Sequence, residues 1–245
     1  RQKWFGVACC PPNIARTLAS MGQYIYFTDK NTVYVNLYIS NEAQIDLDEG
    51  TTKIQIESDL TNTGHIVLKV TPDEGSTNNL AIRIPDYVKA YTIRKDGALL
   101  EHQDICQAYL TIGGISKQTE IVIDFEVPAR FVRANPNVRE DVGKTALVKG
   151  PLVYCLEEID NGENLPAIFV DTKQEVREMF EPELLGGVTT LRFKGKKLNV
   201  DTWKDGALYD SREMAFEEVN LKAVPYHCWD NRKTGEMLVW MKEMF

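Results

Sequence analysis

Two adjacent cysteines are the side chains in this sequence best suited to chemistry. Cys9 and Cys10 stand directly before a Pro-Pro-Asn step, and apolar residues then recur at helical spacing as far as Met21. Proline is favoured in the first turn of a helix because its missing N–H is not needed there. We therefore predict a helix over residues 13–21, with both thiols just outside its N-terminus. The partial positive charge of that terminus favours the thiolate, which is the form that attacks carbon and binds zinc.

A less reactive role for the two thiols has to be weighed against this one. Free cysteines often pack as small hydrophobic side chains, and a zinc site needs four ligands where only two are adjacent here. The five cysteines of the chain are an odd and scattered set, which is not a disulfide framework. The histidines are widely separated and in no H-x-x-H arrangement, so we interpret them as surface or half-buried residues. The other cysteines and the histidines are Cys106, Cys155, Cys228, His65, His102 and His227.

Composition excludes several classes of partner. The 245 residues carry a net charge of −8 with a pI near 5.1, whereas proteins that bind nucleic acid present basic patches. No apolar run approaches the length of a membrane span. We therefore expect neither nucleic acid nor a membrane as a partner. The sequence begins with Arg1 and not with methionine, so we expect further residues upstream, and the cellular compartment stays open.

After the predicted helix, the hydrophobic pattern changes to a period of two residues. Residues 33–39 alternate between aliphatic and more polar side chains, and the turn at 29–31 pairs them with a strand at 24–28. Short strands broken by Gly, Asp, Asn and Pro, without long helices between them, are typical of a β-sandwich. Further strands are predicted at residues 44–48, 53–57, 66–71, 80–84, 90–94, 108–112, 120–126, 145–148, 152–157, 167–170, 189–193, 217–223 and 236–241.

We predict an all-β chain of two β-sandwich domains behind one helix. The polar, proline-bearing stretch 133–142 is interpreted as a linker or crossover, which places the domain boundary near residue 140. The charged segments 157–164 and 194–197 are interpreted as solvated turns. The predicted parts are residues 1–23 with the helix and the cysteine pair, a first sandwich at 24–140 and a second at 141–245, with the return of a late strand to the first sandwich left open.

The sequence also resembles a known family of enzymes. The run A-C-C-P-P-N-I-A-R at residues 8–16, followed by a Tyr-Ile-Tyr strand, is similar to the cysteine-pair motif of glycoside hydrolase family 127. Three later segments, at residues 143–157, 183–188 and 225–240, resemble landmarks of the same family in the same order. The resemblance implies the C-terminal portion of a zinc-dependent β-L-arabinofuranosidase-like hydrolase, with two β-sandwich domains behind an α/α barrel.

The resemblance assigns roles to the cysteine pair. It maps Cys9 onto a nucleophile that replaces the usual carboxylate of a retaining glycosidase, and it maps both Cys9 and Cys10 onto zinc ligands. In the family, the remaining ligands (a glutamate and a cysteine), the acid/base glutamate and the sugar-contacting histidines come from the barrel. The predicted helix is then the last piece of that barrel. We expect zinc in the intact enzyme, no zinc in this chain alone, and no catalytic activity of the chain by itself.

The resemblance also implies the substrates, and a second hypothesis competes with it. L-Arabinofuranosides or related plant-type glycans are the implied substrates, while the exact sugar and a homodimer through a β-sandwich are left open. The alternative is a non-catalytic carbohydrate-binding or dimerisation module, because sandwich folds host many unrelated functions. An exposed row of aromatic residues favours the module, whereas unburied apolar surface on the helix favours the enzyme part.

Several other residues could take part in catalysis or sugar binding but are better explained as solvated or structural residues. Adjacent glutamates on a strand point to opposite faces and do not converge on one bond, so we expect these carboxylates to be solvated. Aromatic residues near the C-terminus have the shape to stack on a sugar, although such residues more often fill a core or an interface. The carboxylates are Glu157, Glu158, Glu181 and Glu183, and the aromatic residues are Tyr226, Trp229 and Trp240.

Overall fold

The chain folds into two compact units that consist mainly of β-strands. The structure, a computed structural model, describes residues 6–100, 105–200, 207–209, 211 and 213–244. One unit comprises Arg1–Val127 and the other Pro128–Phe245. The predicted all-β class is therefore confirmed. Within the described ranges, no helix is long and apolar enough to cross a membrane.

The first unit begins with the predicted helix and continues with strands. The helix starts three residues earlier than predicted, because the two prolines occupy first-turn positions where no N–H is needed. A 3-10 turn, Met21–Tyr24, follows it directly. In chain order the unit contains α1 (Cys10–Ser20), β1 (Tyr26–Asp29), β2 (Thr32–Val35), β3 (Asn41–Leu47), β4 (Gly50–Asp59), β5 (His65–Pro72), β6 (Asn78–Arg83), β7 (Ala90–Lys95), β8 (Ala98–Leu99), β9 (Ile105–Cys106), β10 (Tyr109–Ile115) and β11 (Thr119–Glu126).

These strands form two sheets around one aliphatic core. One sheet has the order β1-β2-β6-β10-β9 and the other the order β3-β4-β5-β11-β7-β8. The alternation along β4 buries Ile54 and Ile56 completely, and Ile66 and Leu68 of the paired strand β5 do the same. Strands β2, β6 and β10 of the other sheet contribute to the same cluster. Each fully buried aliphatic side chain stabilises the fold by about 2 kcal/mol relative to an exposed one.

The second unit contains two long strands that pair antiparallel with each other, and a set of shorter ones. The elements are β12 (Ala129–Val132), β13 (Lys144–Lys149), β14 (Leu152–Glu157), α2 (Glu158–Asn161), β15 (Ile168–Val170), β16 (Arg177–Glu181), β17 (Val188–Leu198), β18 (Phe216–Pro225), β19 (Met237–Leu238) and β20 (Met241–Glu243). The strands pair in the order β12-β13-β20-β15-β17-β18-β14-β19, with β16 beside β17. Because β13 also pairs with β14, the pairings from β13 round to β14 close into a ring.

Two features of the second unit differ from the expectations. The division between the units follows Val127 and not a residue near 140, because β12 pairs antiparallel with β13 and so draws the intervening segment into the second unit. The prediction of a solvated turn at 194–197 is wrong, since these residues lie inside β17. Phe193 and Gly195 are buried there while Lys194 is exposed, so the lysine fits an outward position of a strand.

Two turn glycines of the first unit provide a matched test of this packing. Gly64 and Gly97 both adopt a positive φ, at +79° and +81°, but a Cβ on Gly64 would lie 2.0 Å from the carbonyl oxygen of Phe125 whereas one on Gly97 would meet nothing within 4 Å. We expect Gly97→Ala to cost about 1 kcal/mol of backbone strain and Gly64→Ala at least about 2 kcal/mol more, because the backbone must move. Urea unfolding of both variants measures the difference, and equal losses would contradict the close approach.

Candidate functional site

The two adjacent cysteines lie where α1 begins. Cys9 is the residue before the helix and already has helical backbone angles, with φ −78° and ψ −41°. Both side chains are exposed, and their Sγ atoms are 3.6 Å apart. A disulfide would bring the two sulfurs to about 2.05 Å, so these are two free thiols. The helical backbone therefore presents two sulfur atoms side by side.

The sulfur spacing fits two ligands of one zinc ion. Sulfur ligands lie about 2.3 Å from tetrahedral zinc, which places two of them about 3.8 Å apart. The 3.6 Å between Cys9 and Cys10 is close to that value. However, the described residues contain no group of three or more His, Cys, Asp or Glu side chains that could hold a metal ion. Among the described residues, this pair thus offers two of the four ligands that a closed zinc site requires.

The other cysteines do not extend this pair. Cys106 is exposed on β9, while Cys155 and Cys228 are buried in the second unit. Burial raises the pKa of the Cys155 thiol to about 12 and also raises that of Cys228. Both buried groups are therefore protonated thiols at neutral pH and pack as small hydrophobic side chains.

Two polar residues after the prolines hold the first turn of the helix. Asn13 Nδ2 donates a hydrogen bond of 2.9 Å to the carbonyl oxygen of Cys9, and Arg16 Nη2 donates one of 2.9 Å to Asn13 Oδ1. Thr17 Oγ1 donates to the carbonyl oxygen of Asn13. Asn13 and Arg16 belong to the motif at residues 8–16, but the sequence predicted no role for them. Their three-residue spacing, which places both side chains on one face of a helix, could have indicated a contact between them.

The apolar stripe of α1 is uncovered. Ile14 and Leu18 are 63% and 67% exposed, and no residue of the helix is buried. Val7, Tyr24 and Phe27 near the ends of the helix are also exposed. An amphipathic helix is normally stabilised by packing its apolar stripe against a core. The described residues thus provide no core that covers the apolar stripe of this helix.

The candidate carboxylates Glu157 and Glu158 serve structure in the second unit. Glu157 is buried and forms an ion pair with Arg232, whose Nε donates to Glu157 Oε2 at 3.2 Å. Arg232 also pairs with Asp160. Glu158 opens α2 and accepts a hydrogen bond of 2.8 Å from the backbone N–H of Glu236. The expectation of a solvated Glu157 is therefore wrong, because a guanidinium compensates for its burial.

Glu181 is held ionised by three donors. It accepts hydrogen bonds from Thr190 Oγ1 at 2.7 Å, from Arg192 Nη2 at 2.9 Å and from Lys222 Nζ at 3.2 Å. Burial acts to raise the pKa of Glu181, but these donors outweigh burial and lower the pKa to about 2. A carboxyl with so low a pKa carries no proton to donate at neutral pH, so Glu181 does not suit a general acid. Its neighbour in the predicted pair, Glu183, is exposed.

The aromatic and histidine candidates lie on the surface. Tyr226 and Trp229 stack on each other with ring centroids 6.0 Å apart, and they are 45% and 37% exposed. Of the two alternatives for them, a core or an interface, the core is excluded for Tyr226 and Trp229, while Trp240 is half-buried. His65 is exposed and its Nδ1 lies 2.7 Å from Asp124 Oδ1, and His227 is exposed as well. His102 lies outside the described residues.

Two family models match the two units. The model described as "Beta-L-arabinofuranosidase, GH127 middle domain" matches residues 32–128, and "Glycoside hydrolase family 127 C-terminal domain" matches residues 129–242. The boundary between the two matches falls one residue from the structural division at Val127. The helix α1 and the cysteine pair precede both matched ranges.

Individual relatives give the same result. A "Non-reducing end beta-L-arabinofuranosidase" from Bifidobacterium longum subsp. longum is 35% identical, over 99% of this chain and 38% of its own length. The crystal structure of a GH127 beta-L-arabinofuranosidase from Geobacillus stearothermophilus T6 matches with a TM-score of 0.89 and 36% identity, over 100% of this chain and 39% of that one. A GH127 beta-arabinofuranosidase matches with a TM-score of 0.86 and 30% identity, over 100% of this chain and 40% of that one.

The two matched domains place the chain among the glycoside hydrolases. More specifically, the chain belongs to glycoside hydrolase family 127. It spans 38% of the length of the Bifidobacterium relative and 39% of the Geobacillus structure. These relatives therefore contain long segments that this chain does not match.

The ionised state of Glu181 predicts a pH-dependent stability. Its pKa lies below the unfolded value, so its contribution is complete above about pH 4.5 and is lost as the pH falls towards 2. We expect Glu181→Gln to lower the free energy of unfolding by about 2 kcal/mol at pH 7, and by much less near pH 3. Urea unfolding at several pH values measures this, with Glu183→Gln as the exposed control. A loss that is independent of pH would contradict the ionised network.

Proposed function

We propose that this chain supplies the nucleophile and the two C-terminal β domains of a retaining β-L-arabinofuranosidase. Its substrates are L-arabinofuranosides or related plant-type glycans. The observation that carries this proposal is the pair of free thiols, Cys9 and Cys10, with sulfurs 3.6 Å apart at the start of α1. Membership of family 127 and the names of the relatives support the substrate class.

In this proposal, Cys9 attacks the sugar and Cys10 serves as its partner. Retention requires a nucleophile that bonds to the anomeric carbon and an acid that protonates the leaving oxygen, before water releases the sugar. Cys9 Sγ is the nucleophile, and Cys9 and Cys10 would together hold a zinc ion through their sulfurs. Bound zinc supplies a field that keeps both sulfurs deprotonated at neutral pH. The helical backbone and the hydrogen bond from Asn13 hold the first turn, in which the two sulfurs lie 3.6 Å apart.

The proposal also holds that the rest of the site comes from residues that precede the matched domains. The described residues supply two of four zinc ligands, and the candidate acids Glu157 and Glu181 are both held in ion pairs with arginines. The uncovered stripe of Ile14 and Leu18 supports a domain that packs on α1. We therefore expect the chain by itself to bind no zinc tightly and to cleave no glycoside.

Three cysteine substitutions test this proposal in a longer polypeptide that includes the natural upstream segment. We expect Cys9→Ala to lower kcat/KM for an aryl β-L-arabinofuranoside at least about a thousandfold, because the bond-forming atom is lost. Cys9→Ala and Cys10→Ala should each also lower the zinc content measured by elemental analysis. The control is Cys106→Ala, an exposed cysteine of β9, which should leave activity and zinc unchanged.

The unextended chain is assayed beside the longer polypeptide. Tight zinc binding or glycoside cleavage by the chain alone would contradict the division of the site. Full activity of Cys9→Ala in the longer polypeptide would contradict the nucleophile assignment itself.

A further inference from the structure

A large open cleft lies in the second unit, away from the cysteine pair in the sequence. Its volume is about 820 Å³, within the range of about 300–1,000 Å³ that is typical of ligand sites. Residues of α2, β16, β17 and β18 line it. A second cavity of about 200 Å³ shares Gln174 and Lys194 with it. The two cavities are therefore neighbours, and we call them together the β17 groove.

The groove has an apolar part. Phe193 and Leu221 lie beside the larger cavity, but their side chains are buried in the hydrophobic cluster of the second unit. The exposed apolar side chains of the larger cavity are Ile159 and Met179, which are 46% and 48% exposed. Phe169 contributes to the smaller cavity. These side chains offer contacts to the C–H faces of a ligand along the groove.

The charges along the groove are mostly neutralised by one another. Lys222 Nζ lies 3.6 Å from Asp160 Oδ1 and 3.2 Å from Glu181 Oε2. Arg192 Nη2 lies 2.9 Å from Glu181 Oε1, and Arg232 completes the pairing of Asp160. A ligand therefore gains little from a net charge of its own. The network instead offers fixed polar atoms, which suit a ligand that both donates and accepts hydrogen bonds.

One charged side chain of the groove is accessible to a ligand. Lys194 is exposed at the junction of the two cavities. The side-chain amide of Gln174 bonds to both backbone polar groups of Lys194. Gln174 Nε2 donates to Lys194 O at 2.5 Å, and Gln174 Oε1 accepts from Lys194 N at 2.7 Å. This double contact fixes the position from which the Lys194 ammonium extends.

We propose that the β17 groove is a non-catalytic binding site for an uncharged glycan chain. An apolar surface, neutralised charges and fixed donors together suit a polyhydroxylated ligand without charge. A glycan is the natural ligand of this kind for a member of a glycoside hydrolase family. The site requires neither Cys9 nor zinc. Glycan binding in the groove therefore goes beyond the proposed catalysis and is tested independently of it.

Calorimetric titration of the full chain with a linear arabino-oligosaccharide tests the site. We expect binding with an affinity that changes less than twofold between low and high sodium chloride, because the ligand carries no charge. Lys194→Met should weaken it about tenfold, since a charged hydrogen-bond donor is lost. The control Lys53→Met removes an exposed lysine of β4 in the first unit and should leave the affinity unchanged. Thermal unfolding checks that both variants remain folded.

Four outcomes would overturn the proposal. They are no binding at millimolar oligosaccharide, equal affinity of Lys194→Met and the unsubstituted chain, a strong loss of affinity with salt, and preferential binding of an oligogalacturonate of the same length. A Cys9→Ala chain should bind the arabino-oligosaccharide as well as the unsubstituted chain does. A failure to bind the oligosaccharide would therefore not contradict the assignment of Cys9 as the nucleophile. Equally, evidence against Cys9 as the nucleophile would not contradict glycan binding in the groove.

Discussion

The helical backbone at Cys9 and Cys10 is the constraint on which the candidate active site depends. Two adjacent residues with helical angles at the start of α1 bring their sulfurs to 3.6 Å, which is close to the spacing of about 3.8 Å between two sulfur ligands of one tetrahedral zinc ion. Hydrogen bonds from Asn13 and Arg16 stay within the helix and hold its first turn. Nothing in the described part of the chain packs over Ile14 and Leu18, so the helix defines the local geometry of the thiols while a covering surface has to fix where they point.

The interiors of the two β units differ in their buried contacts. The first unit has an aliphatic core in which residues of both sheets alternate between core and solvent, as Ile54 and Ile56 illustrate. The second unit adds buried ion pairs to its hydrophobic cluster, with Glu157 held by Arg232. Buried charges are costly unless they are paired and hydrogen-bonded, and here each has a partner that fixes its position. Paired charges suit the wall of a groove, because they present polar atoms in fixed positions without attracting ions.

Local patterns predicted much of this structure, and long-range contacts account for most of the rest. The period of two residues identified most strands of the first unit but not β8 and β9, which are too short to show an alternation, and the Pro-Pro-Asn step located α1 to within three residues. Strand β16 was missed because four of its five residues are exposed and give no alternation. The burial of Glu157 was missed because its partner Arg232 lies 75 residues away. The lysine-rich segment 194–197 was predicted to be a turn. Charged residues occur both in loops and at outward positions of a strand, and composition alone does not distinguish the two.

The central claim is that Cys9 Sγ forms a bond to the sugar. Its most direct test is peptide-mapping mass spectrometry of the longer polypeptide, quenched with acid during turnover of an activated arabinofuranoside. A retaining reaction passes through a covalent glycosyl-enzyme intermediate, so the account predicts one pentosyl mass on the peptide that contains Cys9 and Cys10, with fragmentation assigning it to Cys9. A pentosyl group on Cys10 or on a carboxylate, or turnover by an enzyme that lacks Cys9, would contradict it.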